Sequence, residues 1–142
     1  MSRILTDLGE EWLMKNNTDT ASLDVGVYDD STDAITDTED LSDITTEPSD
    51  GNYSRQTGIA MSASDLSGDW GFDNDSKVTF DMTNTTGSVD SYFIVANFQA
   101  SDTGDGGAND HLIATGALSQ PYNLSNLTQL EISAGGVGVT VS

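Results

Sequence analysis

The sequence predicts an all-β protein, a jelly-roll-like antiparallel sandwich of about eight strands with a short N-terminal helix. Two observations predict this class. Apolar and polar residues alternate in short segments, which is the period of a half-buried strand. Turn-rich stretches such as DNDS, TTGS and AGG separate these segments. Many short strands with loops of unequal length favour a jelly roll over alternating strands and helices.

The first segment carries the helical prediction. Its apolar residues recur at helical spacing: Ile4, Leu5, Leu8 and Trp12. We therefore expect a helical segment over residues 1–17 and a β-sandwich domain over residues 18–142. A helix this short is marginal alone, so it must pack on its own domain or on a partner. The candidate docking residues are Arg3, Leu5, Leu8 and Trp12.

After this segment the apolar period changes to two. KVTFDM places Val78, Phe80 and Met82 on one face, and SYFIVANFQ is apolar on both faces, as in a central strand. The other predicted strands are LDVGVY, YSRQTGIAM, HLIATGAL, QLEIS and GVGVTVS, with DWGF as a further short one. The stretch from Asp29 to Asp50 has the weakest pattern. A loop this long is usually functional or ordered by a partner.

The charge balance is strongly acidic. Four Lys and Arg against 24 Asp and Glu give 4 − 24 = −20. High charge can indicate disorder, but periodic apolar residues favour a folded protein adapted to brine. In molar salt the Debye length falls to about 3 Å, which screens the repulsion. The acidic balance disfavours a nucleic-acid partner and an anionic membrane, because both require basic patches.

The sequence contains neither a cysteine nor a long apolar run. Disulfides and thiolate metal sites are therefore excluded. The longest apolar run, YFIVA, is far shorter than the roughly 18 residues of a membrane span. Acidic residues interrupt the N-terminal segment, which disfavours a signal peptide. We expect the protein to stay in the cytoplasm or to leave it inside a larger assembly.

A glycine-rich acidic stretch, SDTGDGGAND, is the candidate metal loop. Hard cations such as Ca²⁺ or Mg²⁺ prefer oxygen ligands from loops of this kind. The spacing does not match an EF-hand, and in so acidic a chain a solvated loop is the simpler interpretation. The DNDS turn at Asp73–Ser76 is a similarly weak indication of a metal site. The candidate metal ligands are Asp102, Asp105, Asn109 and Asp110; no other cofactor is expected.

The residue types of catalysis form no recognisable pattern. His111 is the only histidine, and no nucleophile elbow or phosphate-binding glycine loop is present. We therefore predict a non-enzymatic protein with no catalytic residues. Asn-X-Ser/Thr triplets occur six times, which the Asn, Ser and Thr content explains by chance. They begin at Asn16, Asn52, Asn74, Asn84, Asn123 and Asn126.

Three stretches near the start, ILTDLGEEWLMKN, VGVYDD and LSDITTEPSDGNYSRQ, resemble small structural proteins of tailed viruses. The later FIVANFQ, HLIATGALSQPYNL and LEISAGGVGVTV resemble the ends of those proteins. The family includes head decoration, turret and tail-fibre-like proteins. The DTGDGGAND insertion and the acidic loops depart from its pattern, and the acidity implies a virus of a halophilic archaeon.

The resemblance implies a virion structural protein assembled in the host cytoplasm. We expect a capsid decoration or turret subunit that forms a symmetric homo-oligomer on the outer shell and contacts the major capsid protein. The alternatives are a tail or baseplate component that touches the host, and a carbohydrate-binding β-sandwich module. Exposed rings of Trp70 and Phe72 would favour the module.

The EPSDGNYSRQ stretch contains two further candidate partner-binding residues, Tyr53 and Arg55. We expect Arg55 to neutralise carboxylates, either across a subunit contact or within the long loop, because its fork pairs with carboxylates in a bidentate geometry. The alternative is an exposed surface arginine that contributes less than about 1 kcal/mol.

Overall fold

Seven of the nine strands in the described part of the chain form one antiparallel sheet, in the order β1-β7-β6-β2-β3-β4-β9. The computed structural model describes residues 3–9, 22–66, 69–98 and 108–141. The sheet nearly closes on itself, because its edge strands β1 and β9 approach each other. A second sheet pairs β5 with β8. The strands are β1 (Arg3–Leu5), β2 (Ser22–Tyr28), β3 (Gln56–Leu66), β4 (Asp69–Asn74), β5 (Val78–Asp81), β6 (Ser88–Phe98), β7 (Asn109–Asn123), β8 (Gln129–Ile132) and β9 (Gly138–Val141).

The predicted all-β class is confirmed, with nine strands in the described part of the chain. The alternating pattern points the expected side chains inward: Val78, Phe80 and Met82 are each buried. These residues join Leu23, Val25, Val27 and others in the main core between the two sheets. Because burying each such side chain contributes roughly 1.5–3 kcal/mol, this alternation fixes which face of each strand turns inward.

The predicted N-terminal helix starts later than expected. Arg3–Leu5 form β1, which pairs with β7 in the register Arg3↔Gly116. The free edge of β7 offers backbone partners that a helix would leave unused, and Leu5 packs on the main core from β1. Residues 7–9 are helical. Trp12 lies outside the described residues.

The strand β6 is internal, as its two apolar faces predicted, and lies between β7 and β2. Tyr92, Ile94 and Ala96 face the main core, whereas Phe93 and Val95 belong to a second cluster on the opposite face. That second cluster also includes Tyr28, Ile35 and Leu112, and Leu41 and Ile44 pack against it.

The loop between β2 and β3 covers this second cluster. It contains the short helix α1 (Asp30–Asp33) and a 3₁₀ turn at Leu41–Asp43. Ile35 from the loop is only 4% exposed. The long unpatterned stretch is therefore held against the sheet by contacts within the chain.

Two glycines make room for aromatic rings of β6. Gly26 is the cross-strand partner of Phe93, and a Cβ at Gly26 would lie 2.3 Å from Phe93 Cζ. Gly116 is likewise opposite Tyr92, and a Cβ at Gly116 would lie 2.3 Å from Tyr92 Cζ. The Tyr92 hydroxyl donates to the carbonyl of Gly138 at 2.9 Å. Each ring thus lies flat over a position that has no side chain.

Candidate functional site

Glu47, Tyr53 and Arg55 form a connected polar cluster, which we call the loop clamp. All three belong to the EPSDGNYSRQ stretch, and a turn at Gly51 separates Glu47 from the other two. Gly51 has φ +62°, where a side chain is strained and a Cβ would lie 2.4 Å from the backbone of Asn84. The turn therefore lies tightly against the segment after β5 and brings Glu47 back towards Arg55.

Tyr53 completes the hydrogen bonding of β2 where β3 leaves it. The last paired residues of β2 and β3 are Val25 and Gln56. Beyond them, the backbone N–H of Val27 donates to the Tyr53 hydroxyl at 3.1 Å. That hydroxyl donates in turn to Glu47 Oε1 at 2.9 Å. Burial and the neighbouring Glu47 carboxylate both raise the pKa of Tyr53, so the phenol keeps its proton.

Arg55 pairs with Glu47 through two parallel hydrogen bonds. Its Nε donates to Oε1 at 2.9 Å and its Nη2 to Oε2 at 2.7 Å. These hydrogen bonds raise the pKa of Arg55, against the effect of partial burial. The guanidinium carbon also lies 5.2 Å from the ring centroid of Phe93. The sequence predicted that Arg55 neutralises carboxylates either across a subunit contact or within the long loop. The structure shows a pair with Glu47, which lies in the long loop.

The side chains of this ion pair are only partly exposed, 31% for Arg55 and 20% for Glu47. The pair Lys77–Glu131 is much more open, at 63% and 43%. Water therefore screens the Arg55 pair less than the Lys77 pair.

Asp40 forms a second connection between the loop and the sheet. Its Oδ1 accepts hydrogen bonds from the backbone N–H groups of Leu41 and Leu112, at 2.7 Å and 2.9 Å. Its Oδ2 lies 2.8 Å from Nδ1 of His111, a buried residue whose ring meets Phe98 edge-on. The single histidine is thus packed beneath the loop.

Carboxylates also organise the loop itself. Asp33 accepts hydrogen bonds from the backbone and the hydroxyl groups of both Thr45 and Thr46. Burial acts to raise the pKa of Asp33, but these hydrogen bonds outweigh it and lower the pKa. Asp90, on β6, accepts from the N–H of Asp30 at 2.7 Å. Several acidic residues therefore act as hydrogen-bond acceptors for loop backbone groups.

The candidate metal ligands divide into two pairs. Asp102 and Asp105 lie outside the described residues. Asn109 and Asp110 begin β7, and Asp110 accepts a hydrogen bond from the Asn97 amide at 2.8 Å. In the described ranges, no group of three or more histidine and acidic side chains is placed to hold a metal ion. A Ca²⁺ or Mg²⁺ ion at this loop stays a prediction.

The DNDS turn contains a buried amide. Asn74 is 2% exposed, and its Nδ2 donates to the carbonyls of Ser76 and Ser133. Its Oδ1 accepts from the N–H of Val137 at 2.9 Å. The Asn74 side chain therefore connects the β4–β5 turn to the start of β9.

The candidate docking residues of the N-terminal segment are spread over two structures. Arg3 and Leu5 lie on β1, whereas Leu8 lies in the helical residues 7–9. The sequence predicted that this segment packs either on its own domain or on a partner. Leu5 and Leu8 pack against the main core of their own domain. The site residues that the sequence did not indicate are Glu47 as the partner of Arg55 and Asp40 as the partner of His111.

Comparisons with known proteins give no match: no family model, no curated protein and no solved structure is similar to this chain. Within the described ranges, the helices are too short or too polar to span a bilayer. Phe72 is buried at 1% exposure, so its ring is not available for stacking on a sugar. The described geometry is that of an acidic all-β framework whose polar clusters hold its loops.

Proposed function

We propose that the protein is a virion structural protein, a capsid decoration or turret subunit on the outer shell of a tailed virus of a halophilic archaeon. It assembles there as a symmetric homo-oligomer and contacts the major capsid protein. On this proposal it has no enzymatic activity, is assembled in the host cytoplasm and binds neither nucleic acid nor membrane.

The observation that carries the proposal is the loop clamp. Glu47, Tyr53 and Arg55 belong to the stretch that resembles tailed-virus structural proteins. In this chain the three side chains join the long loop to the junction of β2 and β3. The residues that carry the resemblance therefore have a framework role here, which supports a structural protein.

The charge supports the halophilic source. A net charge of −20 on a chain of 142 residues would repel itself strongly in dilute buffer. In brine the repulsion is screened and the acidic surface keeps the particle soluble. The many exposed acids, such as Asp37, Asp43 and Asp75, fit this environment.

Attachment to the shell would use the few basic residues of the chain. We place it at the N-terminal segment and at the partly exposed Arg55, because two of the four basic residues, Arg3 and Lys15, lie in that segment. A cationic contact on an otherwise anionic subunit would favour an acidic neighbour, including a second copy of this chain.

Quantitative mass spectrometry of purified virus particles from the source culture tests the proposal. We expect a copy number comparable to that of the major shell protein, or a fixed large fraction of it. A handful of copies per particle would instead place the chain in the tail or baseplate, in contact with the host. Absence from the particle would refute the virion function and return attention to a carbohydrate-binding module.

A further inference from the structure

Four Asn-X-Ser/Thr triplets from three separate parts of the sequence meet at one end of the molecule. They begin at Asn52, Asn84, Asn123 and Asn126. The backbone N–H of Asn52 donates to the carbonyl of Thr83 at 2.9 Å, beside Asn84. Asn123 pairs across the sheet with Ser88, and the 3₁₀ turn Leu124–Asn126 follows directly.

Three of these triplets, those that begin at Asn84, Asn123 and Asn126, border the same groove. The groove lies between the segment that follows β5 and the segment that leads into β8. Its lining residues are Thr83, Asn84, Thr85, Thr86, Ser125, Leu127 and Thr128. Every one except Leu127 has a hydroxyl or amide side chain, so the groove offers hydrogen-bonding groups to a polar occupant.

Three of the four asparagines are accessible for chemistry at the amide nitrogen. Asn84, Asn123 and Asn126 are exposed, and no acceptor among the described residues takes a hydrogen bond from their Nδ2 atoms. Asn123 Oδ1 accepts from the N–H of Ser125 at 3.1 Å, which leaves the Nδ2 side of the amide directed away from that turn. The Asn52 Nδ2, in contrast, donates to Asp81 Oδ2 at 3.0 Å.

The triplet at Asn74 provides an internal contrast. Its amide is buried, and Nδ2 donates to two backbone carbonyls, those of Ser76 and Ser133. A sugar would replace one of the two hydrogens on this nitrogen, so it would break at least one of these hydrogen bonds, and the buried position leaves no space for it. The fold thus separates accessible triplets from one that is closed to modification in the native state.

We propose that this end of the molecule is a glycosylation surface, with Nδ2 of Asn84, Asn123 and Asn126 as the acceptor atoms. The sugar donor is an activated glycosyl phosphate, either a nucleotide sugar or a polyprenyl-phosphate-linked glycan. Nδ2 forms a bond to the anomeric carbon of the sugar, and the bond from that carbon to the phosphate oxygen breaks. The amide loses one proton, the phosphate leaves with the bonding electrons, and no oxidation occurs.

A sugar attached to this surface would not disturb the packing of the core. Leu124, the middle residue of the Asn123 triplet, is buried and holds the segment in place. The asparagine and the hydroxyl residue on either side of it are exposed. A glycan would therefore lie over the polar groove outside the core, as surface glycosylation requires. The inference is independent of the proposed virion function.

The test is peptide mass spectrometry of the protein purified from its source cells. We expect a sugar on at least one of Asn84, Asn123 and Asn126, and none on Asn74. A single hexose would favour a nucleotide-sugar donor, and a longer glycan would favour a polyprenyl-linked donor. An intact mass equal to that of the unmodified chain, or a sugar on Asn74, would overturn the proposal.

Three pairs of variants made in the same cells assign each site. Thr128→Ala should remove the sugar from Asn126, whereas Thr128→Ser should keep it, because only the hydroxyl completes the triplet. Ser125→Ala and Ser125→Thr test Asn123 in the same way, and Asn84→Gln is compared with Asn74→Gln. A modification that survives loss of its own hydroxyl residue would contradict the triplet as its origin.

Discussion

The hydroxyl of Tyr53 accepts a hydrogen bond from the backbone N–H of Val27 where β3 leaves β2. The Tyr53 side chain thus accepts the backbone hydrogen bond that β3 no longer accepts from β2 at this point. It connects the edge of β2 to Glu47 and, through that carboxylate, to Arg55. The loop clamp therefore combines a hydrogen bond to the β2 backbone with a partly buried ion pair. Glu47 is the shared acceptor, so its loss would leave both the Tyr53 hydroxyl and the Arg55 guanidinium without it.

Tyr53→Phe is expected to lower the free energy of unfolding by about 1–3 kcal/mol, the usual cost of leaving buried polar groups unpaired. The ring still stacks on Phe80, so apolar packing is kept. Denaturant unfolding in high salt measures the change. Tyr122→Phe is the matched control, since the only hydrogen-bond partner of its hydroxyl among the described residues is the exposed Ser119. Equal stability of the two variants would contradict the role of the Tyr53 hydroxyl.

Arg55→Ala is expected to cost about 1 kcal/mol, from the ion pair and the contact with Phe93. Arg55→Lys keeps the charge but loses the bidentate fork, so its effect should be intermediate. Lys77→Ala, in the more exposed pair with Glu131, should be nearly neutral. Thermal unfolding and light scattering together separate stability from assembly. A dissociated oligomer of normal thermal stability would place Arg55 at a subunit contact.

Asp40→Ala should release the loop over the second core cluster. Two backbone N–H groups lose a charged acceptor, which typically costs about 1.5–3 kcal/mol per bond at a charged group. Hydrogen exchange at Leu41 and Leu112 should accelerate most. Asp40→Asn keeps a carbonyl acceptor and should have a smaller effect, while Asp75→Ala, at an exposed turn, serves as the control. Unchanged exchange at Leu112 would argue against this connection.

Acid should loosen the β2–β3 loop. Although burial opposes the effect, hydrogen bonds from Thr45 and Thr46 hold the pKa of Asp33 below its usual 3.8. A carboxylate with a lowered folded-state pKa stabilises the protein above its unfolded pKa, and this contribution is lost as pH falls through the folded value.

Wild-type stability should therefore decrease below about pH 4. Asp33→Asn should be less stable at neutral pH and should show a flatter dependence on acid. Denaturant titrations between neutral and strongly acidic pH, at constant salt, compare the two. Parallel curves would show that Asp33 does not contribute to the acid transition.

Removal of salt should destabilise the protein, because its net charge of −20 is then unscreened. We expect loss of the oligomer, and with further dilution of the fold, on dialysis from molar KCl to dilute buffer. Circular dichroism and light scattering follow the two steps. A neutral osmolyte at matched osmolality should not substitute for salt. Retained assembly in dilute buffer would contradict adaptation to brine.

The main elements could be predicted from local pattern. Period-two alternation in KVTFDM and QLEIS predicted that Phe80 and Leu130 face inward, and both are buried. The structure adds that the two residues pair across the second sheet. The apolar double face of SYFIVANFQ predicted the internal position of β6. The predicted start of the N-terminal helix was wrong. The helical spacing of Ile4 and Leu5 is a local pattern, whereas these residues form a strand because they pair with the edge of β7.

The candidate site was only partly predictable. Tyr53 and Arg55 could be singled out because a tyrosine and an arginine follow a turn in an acidic chain. Glu47 could have been predicted as the partner of Arg55, because it lies only eight residues earlier, on the other side of the turn at Gly51. Asp40 could not have been predicted as the partner of His111, because 71 residues separate the two and no local pattern distinguishes Asp40 among the 24 acidic residues.

The sequence by itself determined the all-β class, the inward face of most strands and the acidic character of the surface, because periodicity and charge are properties of neighbouring residues. Only the tertiary structure decided which carboxylate meets Arg55, which one lies against His111, and which asparagine triplets share one end of the molecule. Those choices depend on strand order and on the path of a long loop. Both are set by packing between segments that are distant in the chain.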